Sequence, residues 1–142
     1  MYKEDELLNH VHQTTEMGRE GILAVMKYAK EESFRQALQQ QLTEYEKLNS
    51  VCDDMLQKRG KQPEEVNPVA KVSSQLMSSM KLMNDRSTSK IAEMMIQGNT
   101  MGMTKSLQHL HDYQGEDERV RDLADKLLKT EESNITQMKK FL

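Results

Sequence analysis

The feature that most limits what this chain can fold into is a repeated three-and-four spacing of apolar side chains. Leu8, Val11, Thr15, Gly18, Ile22, Val25 and Ala29 follow it. So do Phe34, Leu38, Gln41, Tyr45, Leu48, Cys52 and Met55. Residues spaced this way share one stripe of an α-helix, which is stable only when that stripe packs against another. The first rhythm predicts a helix over about residues 3–30, with Glu4 and Asp5 near its positive end. The second predicts one over about 33–59, opened by Ser33 and Gln36 at capping-box spacing and closed near Gly60. So short a connection makes the pair an antiparallel hairpin.

Three further helices complete the expectation. Asn67 as cap and Pro68 in the first turn open one over about 67–84, with Val69, Val72, Leu76, Met80 and Met83 as its stripe. A long helix over about 88–113 stops before Gly115. The last, about 116–141, carries Val120, Ala124, Leu127, Glu131, Asn134, Met138 and Phe141 inward, with Lys139 and Lys140 at its negative end. No strand pattern or internal repeat appears. A helix of about 18 residues rises roughly 27 Å, enough to carry the chain from one end of a bundle to the other. The expected fold is therefore all-α and single-domain: hairpin, long crossover with a short extra helix, hairpin, which is the order of ferritin-like four-helix bundles. A five-helix array without a crossover is the alternative.

Composition narrows the function classes. Among 142 residues, 30% are charged and 4% aromatic, with no tryptophan and a net charge of −3. Nucleic-acid binding usually needs a basic face, which is missing, and no basic run suits an anionic membrane surface. No apolar run approaches the roughly 20 residues of a membrane span. The acidic opening "MYKEDELLNH" lacks the apolar core of a signal peptide. Cys52 is the single cysteine, so no intrachain disulfide forms. The expectation is a soluble, cytoplasmic protein.

The segments "TTEMGREGI", "FRQALQQQLTEYEKL", "NPVAKV", "IAEMMIQGNTMGM" and "KTEESNITQMKKFL" resemble a group of small, uncharacterised ferritin-like proteins of bacteria. The resemblance implies the fold more than an activity. Di-iron members of that fold use a Glu from each of two helices and Glu-x-x-His from each of the other two. Here no Glu precedes any histidine by three: Leu7, Asn9, Ser106 and Gln108 stand before His10, His12, His109 and His111. The nearest echoes are Glu131-x-x-Asn134 and Gln41-x-x-Glu44. A di-iron centre is not expected, nor is any other metal or cofactor.

At mid-height of the long helices stand Thr15, Glu16 and Gly18 on the first, Gln41 and Tyr45 on the second, Gly98, Asn99 and Gly102 on the third, and Glu131 and Asn134 on the last. In a ferritin-like layout the first helix neighbours the third and the second neighbours the last. Gly18, Gly98 and Gly102 are then expected to let the first and third helices approach closely, with Tyr45 filling central space and reaching Glu131. Three readings of the layer stay open. It is a buried polar network fixing helix register, a small-ligand or single-metal pocket around Glu131, or a misphased heptad with Glu131 on the surface.

Other candidates are weaker. Seven of the twelve methionines lie between Met77 and Met103. Thioethers favour Cu(I), but Met101 and Met103 point about 200° apart on a helix, and flexible core filler is the simpler use. His10-x-His12 and His109-x-His111 could meet at one end of the bundle and hold zinc or nickel; surface histidines are the plainer reading. Cys52, on an apolar stripe without a local cation, reads as a small core residue. No catalytic motif stands out. The expected role is non-enzymatic binding or assembly, with self-association into a homodimer as one route. The alternative is a metal-dependent or redox protein built around Glu131.

Overall fold

A computed structural model describes residues 3–63, 75, 76 and 78–142. Four long helices dominate it: α1 (Glu4–Met26), α2 (Glu32–Lys58), α3 (Thr88–Asp112) and α4 (Glu118–Lys139). No strand occurs among the described residues. Residues 78–82 are also helical, within the expected extra helix. The expected cap at Asn67, the proline at Pro68 and the stripe positions Val69 and Val72 lie outside the described residues. Met80 is fully buried, and Leu76 and Met83 are packed against the core.

The helix ends have local causes. Glu4, Asp5 and Glu6 sit in the first turn of α1, where negative charge is favoured. α1 stops at Met26, four residues short of the expectation, because α2 closes it off. Arg35 Nη1 donates to the carbonyls of Met26 (2.8 Å) and Ala29 (2.9 Å). The Ser33 capping box does not form: the N-cap of α2 is Glu31, without a side-chain cap bond, and Ser33 lies one residue inside the helix. α2 ends in a Schellman turn. Gly60 N–H donates to Gln57 O (2.9 Å) and Lys61 N–H to Leu56 O (2.9 Å). Gly60 takes φ 68°, a left-handed conformation that other L-residues adopt only with strain. Ser87 caps α3 by accepting from Lys90 N, and Asp117 caps α4 by accepting from Arg119 N.

Cross-helix bonds set the directions. Asn49 of α2 bonds Thr15 of α1, and Cys52 Sγ–H donates to Leu8 O, so these helices are antiparallel. His10 of α1 meets Ser106 of α3, and Glu4 meets Tyr113, again antiparallel. Gln41 pairs with Gln137 and Arg59 with Asp117, so α2 and α4 are antiparallel too. α1 and α4 therefore run the same way and also pack on each other. α2 ends beside the start of α1, where Lys61 faces Asp5 at 3.7 Å. α3 begins at the other end of α1, where Arg86 stacks on the Tyr28 ring at 4.6 Å. Between α2 and α3 the chain thus traverses the length of the bundle.

The predicted stripes form the core. Leu8, Val11, Ile22, Phe34, Leu38, Cys52, Leu127 and Met138 are completely buried. Phe34 and Phe141 meet edge-on at 5.0 Å near one end. At the other, Glu4 accepts from Tyr113 Oη and Glu116 N, both at 3.2 Å, tying the α3–α4 turn to the start of α1.

Candidate functional site

Glu131 continues the inward stripe of α4 and is 1% exposed, which removes the reading that placed it on the surface. Its Oε1 accepts from Ser106 Oγ at 2.9 Å. Gly102, one turn earlier on α3, leaves the space that the carboxylate fills: a Cβ there would run into Oε2. Burial pushes the Glu131 carboxyl up to about 7, against a smaller downward pull from the Ser106 bond.

Ser106 has a second partner, His10 Nε2 at 3.0 Å. Its one proton goes to Glu131, so the Nε2–H donates to Ser106 Oγ, and Nδ1 accepts from Thr14 Oγ1 at 3.4 Å. The imidazole is neutral in this arrangement. Burial, reinforced by His109 and Lys105, holds His10 at about 3. His10 stacks on His109 with ring centroids 4.0 Å apart.

Next to this chain lies a second group. Tyr45 Oη donates to Asn99 Oδ1 at 2.9 Å and accepts from Asn134 Nδ2 at 3.3 Å. Burial and the nearby Glu131 charge push the phenol above its usual range. The expected Tyr45–Glu131 bond is not made; Asn99 takes the phenol proton and Ser106 serves Glu131. Gly18 makes room for the Tyr45 ring, since a Cβ there would stand 2.6 Å from ring carbons.

The glycines therefore do not let α1 and α3 approach, as the sequence suggested. Gly18 accommodates an α2 side chain and Gly102 an α4 side chain, while a Cβ on Gly98 would meet nothing within 4 Å. The inward seam of α3 carries Ala92, Asn99 and Ser106 and is continued by the C-cap residue Tyr113, all buried and seven apart, and Gly98 falls outside it.

The remaining candidates separate from the layer. Thr15 donates back to Val11 O (2.8 Å) and accepts from Asn49 (2.9 Å), on the α1–α2 seam. There His12 Nδ1 meets Asp53 Oδ1 at 2.8 Å. Gln41 faces α4 and donates to Gln137 Oε1 at 2.8 Å. His10 and His12 are both buried, contrary to the surface reading, and turn to different helices as i, i+2 geometry requires. Of the two His-x-His pairs only His10 and His109 stack, and His111 is exposed. Met101 is 63% exposed and so does not fill the core. Cys52 is fully buried, as its stripe predicts, and burial with the neighbouring Asp53 pushes its thiol up to about 12.

Sequence reasoning missed Ser106, and it named His10 only as half of a His-x-His pair, not as the partner of Ser106. The signal for Ser106 was the seven-residue spacing of Ala92, Asn99, Ser106 and Tyr113, hidden because two of the four are polar.

Chemically, the layer holds a proton rather than activating a nucleophile. In a serine nucleophile the imidazole accepts the hydroxyl proton. Here Ser106 accepts from the imidazole and gives its proton to the carboxylate. No group of three His, Cys, Asp or Glu side chains suited to a metal ion occurs among the described residues. No helix among them is long and apolar enough to cross a membrane. No family model, curated protein or solved structure matches this chain.

Proposed function

We propose that this chain is a cytoplasmic, ferritin-like bundle of bacterial type, in which the mid-bundle position is a structural polar layer and the protein acts non-enzymatically, as a binding or assembly protein. The hairpin–traverse–hairpin order supports the fold reading. The functional reading is carried by one observation. Among the described residues Glu131 is the single buried carboxylate; it accepts from a neutral serine, and the neutral Tyr45–Asn99–Asn134 group lies nearby. A di-metal site needs several anionic oxygens and imidazoles converging on one point. This layer supplies one carboxylate, with its histidine one residue removed behind Ser106. Self-association into a homodimer is the simplest route to assembly.

The test is elemental analysis of protein purified from its own host without chelators. Sub-stoichiometric iron, manganese and copper are expected. A stoichiometric metal that is lost in Glu131→Gln overturns the reading in favour of a non-standard metal or redox site. The His10–Ser106–Glu131 chain is the observation that favours that second reading, because it links a titrating carboxyl to an imidazole within the core.

A further inference from the structure

We propose that His10, Ser106 and Glu131 form a proton relay: a proton taken up at His10 Nδ1 emerges on the Glu131 carboxyl, and His10 is left neutral in its other tautomer. The relay makes the layer a pH-sensitive switch, whatever the protein binds.

Each link has one hydrogen to give. With Glu131 ionised, Ser106 Oγ–H donates to Glu131 Oε1 at 2.9 Å, and His10 Nε2–H donates to Ser106 Oγ at 3.0 Å. His10 Nδ1 is then the bare nitrogen and accepts from Thr14 Oγ1 at 3.4 Å. Thr14 is half-buried and Glu131 is fully buried, so the chain runs from the rim of the bundle to its interior. A proton added at Nδ1 passes inward by bond exchange. The Nε2 proton goes to Ser106, and the Ser106 hydroxyl proton goes to Glu131. Glu131 Oε1–H now donates to Ser106 Oγ, Ser106 donates to His10 Nε2, and Nδ1–H donates to Thr14 Oγ1. One proton has entered, no charge stays on the imidazole, and every bond of the chain has reversed direction.

The surroundings favour this end state over the other resting places for the proton. Glu131 Oε2 lies against Gly102 and takes part in no hydrogen bond among the described residues, whereas Oε1 already has Ser106 beside it. A buried O–H is costly without a partner. An imidazolium at His10 is opposed by burial, by the stacked His109 and by Lys105 of α3, which hold that ring at about 3. Burial raises Glu131 to about 7, so the carboxyl end takes the proton first. Glu6 of α1 and Asp112 of α3 act on His109. From α2, the Tyr45 phenol lies near Glu131 and stays neutral, its proton held by burial and by the Glu131 charge.

The test is long-range ¹H–¹⁵N correlation spectroscopy of the histidine rings in the full-length protein, with ¹³C detection of the Glu131 carboxyl, on both sides of pH 7. Above the Glu131 transition, His10 is expected with its proton on Nε2. Below it, the proton should stand on Nδ1 with the ring still neutral, and both changes should share one midpoint. Ser106→Ala removes the middle link, so Glu131 should still titrate while the His10 tautomer no longer follows it. Glu131→Gln should hold a single His10 tautomer at every pH, which keeps the relay testable if Ser106→Ala does not fold. One tautomer on both sides of the Glu131 transition overturns the proposal, because the proton then rests on Oε2. So does an imidazolium at His10 across that transition, a tautomer change that survives either substitution, or a Glu131 carboxyl that does not titrate near 7.

Discussion

Gly98 and Gly102 sit one turn apart on α3 and have opposite roles. Nothing stands near a Cβ on Gly98, so that glycine only adds flexibility to a helix interior. Gly98→Ala should raise stability by about 0.5–1 kcal/mol. Gly102 faces the Glu131 carboxylate, which cannot retreat because Ser106 holds it. Gly102→Ala should lower stability by about 1–3 kcal/mol, the usual cost of overpacking. Urea midpoints of the two variants at one pH check both signs, and equal shifts would refute the assignment. In the sequence the two glycines look alike, four apart in one methionine-rich string. Only the side chain opposite each distinguishes them, and that side chain belongs to another helix.

At the scale of the element, the starts of α2 and α4 make a matched pair. Ser33 followed by Gln36 has the spacing of a capping box, yet the helix begins one residue earlier, and no side chain caps it. Arg35 is drawn back to the carbonyls of Met26 and Ala29, which fixes the phase of the first turn. Asp117 caps α4 and also meets Arg59 across the bundle at 2.6 Å. Asp117→Ala should therefore cost about 1–2 kcal/mol, and Ser33→Ala close to nothing. Chemical denaturation compares them directly; a larger loss at Ser33 would mean the capping box forms. α3 was the least legible helix for a related reason. Only Ile91, Ala92, Asn99 and Ser106 of its residues are buried. A stripe that includes Asn and Ser gives little apolar periodicity, although its period of seven is intact. Some of its apolar side chains, Met101 and Leu107, stand on the exposed face instead.

For the whole molecule, two buried groups with opposed titrations set the pH dependence. The Glu131 carboxyl is raised from 4.5 to about 7 in the folded chain, so the fold is favoured below 4.5 and loses stability as pH rises through 7. Taken alone this loss is about 3 kcal/mol between 4.5 and 7, but His10 offsets it up to 6.5, so the net decline above 6.5 is under about 1 kcal/mol. The His10 imidazole is lowered from 6.5 to about 3, so its contribution is present above 6.5 and is lost as pH falls toward 3. Between 4.5 and 6.5 the two slopes oppose each other. Stability should be greatest there and decline on both sides. In Glu131→Gln the alkaline decline should vanish and the acid decline should begin near 6.5 instead of 4.5, because the amide oxygen still accepts from Ser106 without carrying a charge and nothing then offsets His10. Urea midpoints across the pH range read both limbs. A wild-type profile flat above 6.5 would show that Glu131 titrates as an ordinary exposed carboxyl.

The sequence by itself determined the class of fold and most of the core. Apolar spacing is a local property of each helix, and the stripes of α1, α2 and α4 could be read without knowing their neighbours. It also determined that Glu131, Asn134, Tyr45 and Asn99 come to mid-height, since position along a helix follows from counting residues. What only the tertiary structure decided is who meets whom. Tyr45 bonds Asn99 and not Glu131, Ser106 and His10 enter the layer, Thr15 and Gln41 leave it, and Gly98 turns outward. Those outcomes depend on the rotation of each helix about its axis. That rotation is set by the fit of several helices at once, and no single helix encodes it.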